Sequence, residues 1–205
     1  WRIGFLGAGY AARFASRLTA FKESLRTLGY VEGGNFVFEE RWSDDNNARL
    51  PELAAELVRA KCDVIVTGGT PGSLALKAAT TSIPIVMASS GDAVRAGLVA
   101  SLARPGGNVT GLTFFGPELY AKRFELLKEA MPRVSVVTHL TNPGNVQYQK
   151  TFAEGFNAAA ALKVKLLNFE ARTADDFEAA FAAMVKARVE AVMVAQDNLF
   201  TTNHD

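Results

Sequence analysis

Eight short apolar segments, separated by stretches of helical periodicity, constrain this chain more than any other feature. They are RIGFLG (2–7), NFVFEERW (35–42), DVIVTGG (63–69), IPIVMASS (83–90), NVTGLTFF (108–115), VSVVTHLTN (134–142), KVKLLNFEA (163–171) and EAVMVAQ (190–196). Several are unbroken Val/Ile/Leu runs, which suit strands covered on both faces. Between them, Leu50, Leu53 and Leu57 recur at helical spacing around Pro51, a residue suited to a first turn. Tyr120, Phe124, Leu127 and Met131 form a second stripe and Phe177, Phe181 and Met184 a third; both are expected to face the core. Thr173, before an acidic first turn, reads as an N-cap. Repeated βα units dictate parallel sheets with right-handed crossovers. The expected fold class is α/β, doubly wound.

The strands fall into five and then three. The Gly-Pro break in FFGPEL (114–119) is a natural crossing between them, which predicts one lobe over 1–114 and a second over 115–205. The stretch ARPGGNVTGLTFF (103–115) raises the question of a phosphate loop. Such loops follow a strand and open a helix. Here the apolar run AGLVASLA precedes the glycines and a strand follows, so the sequence predicts a helix stop at Pro105, Gly106 and Gly107.

Composition narrows the function classes. Charges nearly cancel, 22 basic against 21 acidic, which argues against nucleic acid as a partner. The lone cysteine, Cys62, rules out an internal disulfide and reads as a buried, inert thiol at the entry to a strand. Two histidines, His139 and His204, and one cysteine give no zinc-site spacing, so neither metal nor cofactor is expected. No apolar run is long enough to span a membrane. The chain starts at Trp1 and not at Met, from which removal of a leading segment is expected.

In parallel sheets ligands bind beyond the carboxyl ends of the strands, so the loops after strands hold the candidates. GAGYAA (7–12), with Gly9 and Tyr10, matches the dinucleotide pattern G-x-G-x-x-G/A. This supports an alternative reading as an NAD(P)-dependent oxidoreductase, with Glu39 or Glu40 on the ribose. The spacing to those acids is longer than the roughly twenty residues such a site uses. His139, the nearest thing to a proton donor, falls inside a strand and is expected to be packed. GGTPGS (68–73) offers Thr70, Pro71 and Ser73 at a helix start, where free N–H groups favour a carboxylate. Plain N-capping by Thr70 is the structural alternative. SSGDAV (89–94) offers Ser90 and Asp92 at another predicted helix start, with Asp92 as cap or contact. TNPGN (141–145) offers Asn142, and QDNLF (196–200) offers Asp197 and Asn198. No serine has a histidine and an acid beside it, so nucleophilic catalysis finds no support. The loops suit a small polar ligand and carry no catalytic engine.

Several longer stretches, GLVASLARPGGNVTGLT, LRTLGYVEGGNFVFEERW, RLPELAAELVRAKCDVIVTGGTPGSLALKAATTSIPIVM and ELYAKRFELLKEAMP, resemble bacterial ABC-transporter substrate-binding proteins over nearly the whole chain. The resemblance implies a type I periplasmic-binding-protein fold. Two lobes joined by a hinge would close on a small solute and present it to a membrane permease, outside the cytoplasm. It also implies contacts at Thr70 and neighbouring amides, Asp92, Thr113, Asn142 and Asp197, and the Asp197–Asn198 pair resembles the amino-acid-binding branch. On that reading a zwitterion places its carboxylate at Thr70 and its ammonium at Asp197, while Tyr10, Trp42 or Phe115 line a side-chain pocket or belong to the core. Complete members of the family run to about three hundred residues, the size of two ordinary domains. The second lobe is therefore expected to be truncated here, with unpaired edges that make residues 1–205 prone to association and poor in solute binding.

Overall fold

Among the described residues the apolar segments resolve into eight strands, five in one parallel sheet and three in another. The computed structural model describes residues 1–114, 118–145, 148–201 and 203, and divides into two compact units, Trp1–Phe114 and Phe115–Asp205. Phe115, His204 and the Gly-Pro break lie outside the described residues.

In the first unit the order along the chain is β1 (Arg2–Gly7), α1 (Ala11–Thr27), β2 (Val37–Trp42), α2 (Leu50–Arg59), β3 (Val64–Gly68), α3 (Thr70–Ala79), β4 (Ile85–Ser89) and β5 (Val109–Gly111). In the sheet the order is β2-β1-β3-β4-β5. Alternation along β1 sends Ile3 and Phe5 to one face, where they meet Phe14 and Leu18 of α1. Leu6 points to the other face, against Leu50, Leu53 and Leu57 of α2 and Leu76 of α3. Both faces are covered, which is why the strands read as continuous apolar runs. Leu57, Ile65, Leu76 and Ile85 are fully buried, each contributing about 1.5–3 kcal/mol of transfer free energy.

The second unit contains α4 (Glu118–Ala130), β6 (Val136–Thr141), α5 (Tyr148–Ala161), β7 (Lys165–Glu170), α6 (Phe177–Lys186), β8 (Ala191–Val194) and α7 (Asn198–Thr201), with strand order β7-β6-β8. Val137 of the central strand packs with Phe124 and Ala159 on one face. Leu140 packs with Ala180, Met184, Leu199 and Phe200 on the other. This unit too is doubly wound. His139 sits mid-strand in β6, 1% exposed, so it is packed as expected. Before α6, the Asp176 carboxylate accepts the amides of Arg172 at 2.7 Å and Thr173 at 2.9 Å, closing a capping box around Thr173. Those backbone donors hold the Asp176 carboxyl below its ordinary range.

Three expectations are corrected. No helix forms over 96–103: Asp92 caps one turn by accepting the Arg95 amide, and Gly97 then takes φ +71°. Glycines at 91 and 97 leave too few residues between them for a helix to recover its nucleation cost. Pro105 and Gly106 end a turn held by Ser101 and Arg104. Phe181 is 47% exposed and only Phe177 and Met184 of its stripe face the core, because Ala180 takes the inward position beside Met184. Met131 lies beyond α4 and is also exposed, while Phe124 and Leu127 are packed; the Tyr120 side chain lies outside the described residues.

The edge strand β2 is charged on both faces. Glu39 pairs with Arg2 and, at 3.6 Å, with Arg41, whose Nε donates to Glu56 at 2.6 Å. Lys22 reaches Glu40 at 3.4 Å and Glu32 at 3.1 Å. Such an edge discourages pairing with another chain. Cys62 is buried, and burial first, then the Glu39 charge, pushes its thiol up. We expect it to react with a disulfide reagent such as dithionitrobenzoate only as fast as the first unit unfolds; a stoichiometric reaction within the mixing time at neutral pH would contradict this.

Candidate functional site

The order β2-β1-β3 means that the chain leaves β1 in one direction and returns on its other side through β3. Side chains after these two strands therefore stand over a crevice that no crossover covers. In the first unit this switch point brings Gly9 and Tyr10, after β1, to the same edge as Gly69 and Thr70, after β3. In the second unit, order β7-β6-β8 puts the switch between β6 and β8, with Asn142 after one and Asp197 after the other.

Around Thr70 the loops after β3, β4 and β5 are laced together. The Thr70 hydroxyl is buried, accepts the Gly91 amide at 3.1 Å and lies 3.5 Å from the Ser90 hydroxyl. Ser90 donates to the Gly91 carbonyl at 2.8 Å. Thr113 donates to the same carbonyl at 2.8 Å and accepts the Ala93 amide at 3.0 Å. Thr70 does not cap α3; Gly69 holds the N-cap position with φ +85°, and Thr70 and Pro71 open the helix. Ser73 is fully buried and donates to the Gly69 carbonyl at 2.9 Å. Asp92 is engaged locally, with Oδ1 on the Arg95 amide at 3.0 Å and Oδ2 3.7 Å from the Arg95 guanidinium. Thr70 and Ser90 thus stand together beside a helix start, whereas Ser73, Asp92 and Thr113 hold backbone in place.

In the second unit the carboxylate of Asp197 is gripped from the loop after β6. Asn142 Nδ2 donates to Oδ1 at 3.1 Å, and Asn145 Nδ2 donates to Oδ2 at 2.6 Å. The Leu199 amide, in the first turn of α7, adds a bond to Oδ1 at 2.8 Å. Asn142 is itself fixed, its Oδ1 accepting the Gly144 amide at 2.8 Å. Three donors leave a half-buried carboxylate with one acceptor direction still to give. Asn198 opens α7 beside it. Asn145 was not among the candidates; the second asparagine of TNPGN was its only signal in the sequence.

The loop after β1 is pinned from the loop after β2. Ser43 donates to the Ala8 carbonyl at 2.6 Å, and the Asp45 amide donates to the same oxygen at 3.1 Å. Asp45 Oδ2 receives Arg13 Nη1 at 2.9 Å, and the Arg13 guanidinium lies 4.9 Å from the centroid of the Tyr10 ring. Trp42 belongs to the core, with its ring 5.1 Å from Phe5 and 5.3 Å from Phe14. Glu39 and Glu40 lie mid-strand in ion pairs rather than at the carboxyl end of β2, so neither stands where a ribose contact needs it. Among the described residues no group of three or more His, Cys, Asp or Glu could hold a metal ion, and no helix is long and apolar enough to cross a membrane.

Comparison with known proteins agrees with this architecture. The chain is 27% identical over 183 residues to a tyrosine-binding protein of Clostridioides difficile, covering 89% of this chain and 52% of the relative. It therefore spans about half the length of that curated relative. A conserved domain protein from Vibrio cholerae superposes with a TM-score of 0.85 at 28% identity, covering 98% of this chain and 67% of that one. The ABC domain in complex with L-Trp from Streptococcus pneumoniae gives 0.83 at 23% identity, covering 99% and 68%, a likeness that carries the fold. The architecture is the type I periplasmic-binding fold, and no support comes from these relatives for an oxidoreductase built on GAGYAA. A family model described as ABC transporter substrate binding protein matches residues 13–205, and the chain belongs to that family.

Proposed function

We propose that this chain captures a small amino-acid-like solute for an ABC-type import system, outside the cytoplasmic membrane and without catalysis, and that a membrane permease receives the solute from it. The observation that carries the reading is the Asn142–Asp197–Asn145 cluster at the β6/β8 switch point. Two amides and a helix-start N–H hold a half-exposed carboxyl group in one orientation, which is what an ammonium group needs. In the first unit, the Thr70 hydroxyl beside the start of α3 suits a carboxylate, whereas the Ser90 hydroxyl donates its proton to the Gly91 carbonyl. The names of the relatives, a tyrosine-binding protein and an L-Trp complex, support the aromatic end of the amino-acid class.

A thermal-shift screen of amino acids, aromatic acids and small amides on the full-length protein tests the proposal, since a ligand that binds only the folded state raises its melting temperature. At least one amino acid should shift the transition, and calorimetry should then give a one-to-one stoichiometry. Absence of any shift across the amino acids, or micromolar binding of NAD(H), would overturn it. With the amino acid so identified, Thr70→Ala should weaken binding by about 0.5–1.5 kcal/mol, the worth of one neutral hydrogen bond, and Thr70→Ser should restore most of it. Calorimetry on the two variants reads the difference.

A further inference from the structure

Tyr10 is 44% exposed, yet it is held more firmly than an exposed tyrosine needs to be. Its backbone carbonyl accepts the Arg13 amide at 3.1 Å, and the Arg13 guanidinium covers one side of its ring. That guanidinium is tied by the 2.9 Å bond to Asp45, whose side chain is mostly buried and whose backbone sits at φ +62°, a conformation uncommon for a residue with a Cβ. Gly9, the residue before Tyr10, permits the close approach: a Cβ there would lie 3.1 Å from the Phe14 ring and 3.4 Å from Asp45 Oδ1. The loop after β2 thus fixes the loop after β1 through Ser43, Asp45 and Arg13 together. Local backbone strain and ordered side chains of this kind gather where a site must be preorganised.

Resting on the solute-binding reading above, we propose that Tyr10 is the specificity-determining platform of the site, presenting an aromatic ring to solutes with a planar ring of their own, and that Arg13 and Asp45 are positioning residues that hold it. Its place is the β1/β3 switch point, on the same edge as Thr70. A ring braced on one side by a guanidinium is a flat surface of fixed orientation, and a second ring stacks on it at little further loss of side-chain entropy. An aliphatic side chain gains contact area there but no ring–ring term. Selectivity between aromatic and aliphatic amino acids is therefore the property that Tyr10 controls.

The test is calorimetric titration of the full-length protein with L-tyrosine, L-tryptophan, L-phenylalanine and L-leucine, read as the ratio of the leucine Kd to each aromatic Kd. Tyr10→Leu should lower that ratio about tenfold, the scale of a ring–ring contact, and Tyr10→Phe should preserve the preference. Arg13→Gln should lower the ratio by about threefold, with Arg13→Lys recovering part of it through the remaining cation–ring contact. Thermal melts of the variants show that each is folded. An unchanged ratio in Tyr10→Leu, in a parent that binds the aromatic amino acids, overturns this inference and leaves the solute-binding reading standing. A parent that binds none of the three aromatic amino acids overturns the inference too, and the thermal-shift screen across all amino acids then decides the solute-binding reading separately.

Discussion

Asp197→Ala is expected to weaken binding of the amino acid identified by screening by about 2–5 kcal/mol, because a desolvated ammonium group would lose the one acidic side chain of that cluster. The same change leaves the amide groups of Asn142 and Asn145 and the Leu199 N–H without their common acceptor. Asp197→Asn separates the two effects. It keeps a side-chain acceptor for the backbone of α7 and removes the charge, so its melting temperature should stay nearer the parent's while its affinity falls almost as far as that of the alanine variant. Calorimetry and thermal melts on the two variants give both numbers. If Asp197→Ala binds as tightly as the parent, the ammonium assignment is wrong and a neutral or purely anionic solute fits better.

Acidification should destabilise the second unit through His139. Burial first, and the positive charge of Arg123 second, push the pKa of this imidazole down to about 4 from 6.5. The unfolded chain therefore binds a proton that the folded chain refuses between those two values. Stability is whole above pH 6.5 and drains as the pH falls towards 4. At pH 4.5 the loss is about 2.5 kcal/mol, from 1.36 kcal/mol for each unit of pKa difference. His139→Leu removes the titrating group while keeping an apolar-compatible volume in β6. Urea titrations between pH 7.5 and 4.5 should show a shallower acid slope in the variant. The lowered carboxyls of Asp176 and Glu190 act in the same direction in both proteins, so they cancel in the comparison. Equal slopes in parent and variant would show that His139 does not carry the effect.

The parts of the fold that could be read in advance are those with a local cause. Strands buried on both faces announce themselves as runs such as DVIVTGG, and all eight occur with ends moved by only a residue or two, apart from β5. There the expected strand over 108–115 stops at Gly111, after which Thr113 turns to serve the Gly91 carbonyl. The apolar run at 96–103 misled because hydrophobic content alone does not distinguish a helix from turns that bury Leu98 and Val99. Phe181 shows the same limit: a stripe gives the spacing, but which of its members faces inward depends on what lies opposite. For the candidate site, the rule that ligands bind in loops after parallel strands pointed to Thr70, Asn142 and Asp197, and the last two share a hydrogen bond. It could not lead to Asn145, which meets Asp197 across 52 residues, or to the Arg13–Asp45 pair, separated by 32. Those partnerships are created by strand order, and no local pattern encodes them.

The charges along β2 have a reach beyond the edge they protect. Arg2 stands opposite Val37 and Gly7 opposite Trp42, and Glu39, Glu40 and Arg41 project alternately to partners on the two sides of the strand. Slipping β2 by one residue would turn each of them to the wrong side and move the chain by about 3.3 Å. Asp45 hangs three residues past the end of that strand, and a displacement of this size exceeds the tolerance of a 2.9 Å hydrogen bond to Arg13. The ion pairs therefore index the strand like the teeth of a ratchet, and the position of the Tyr10 ring is set in part by side chains of a neighbouring strand.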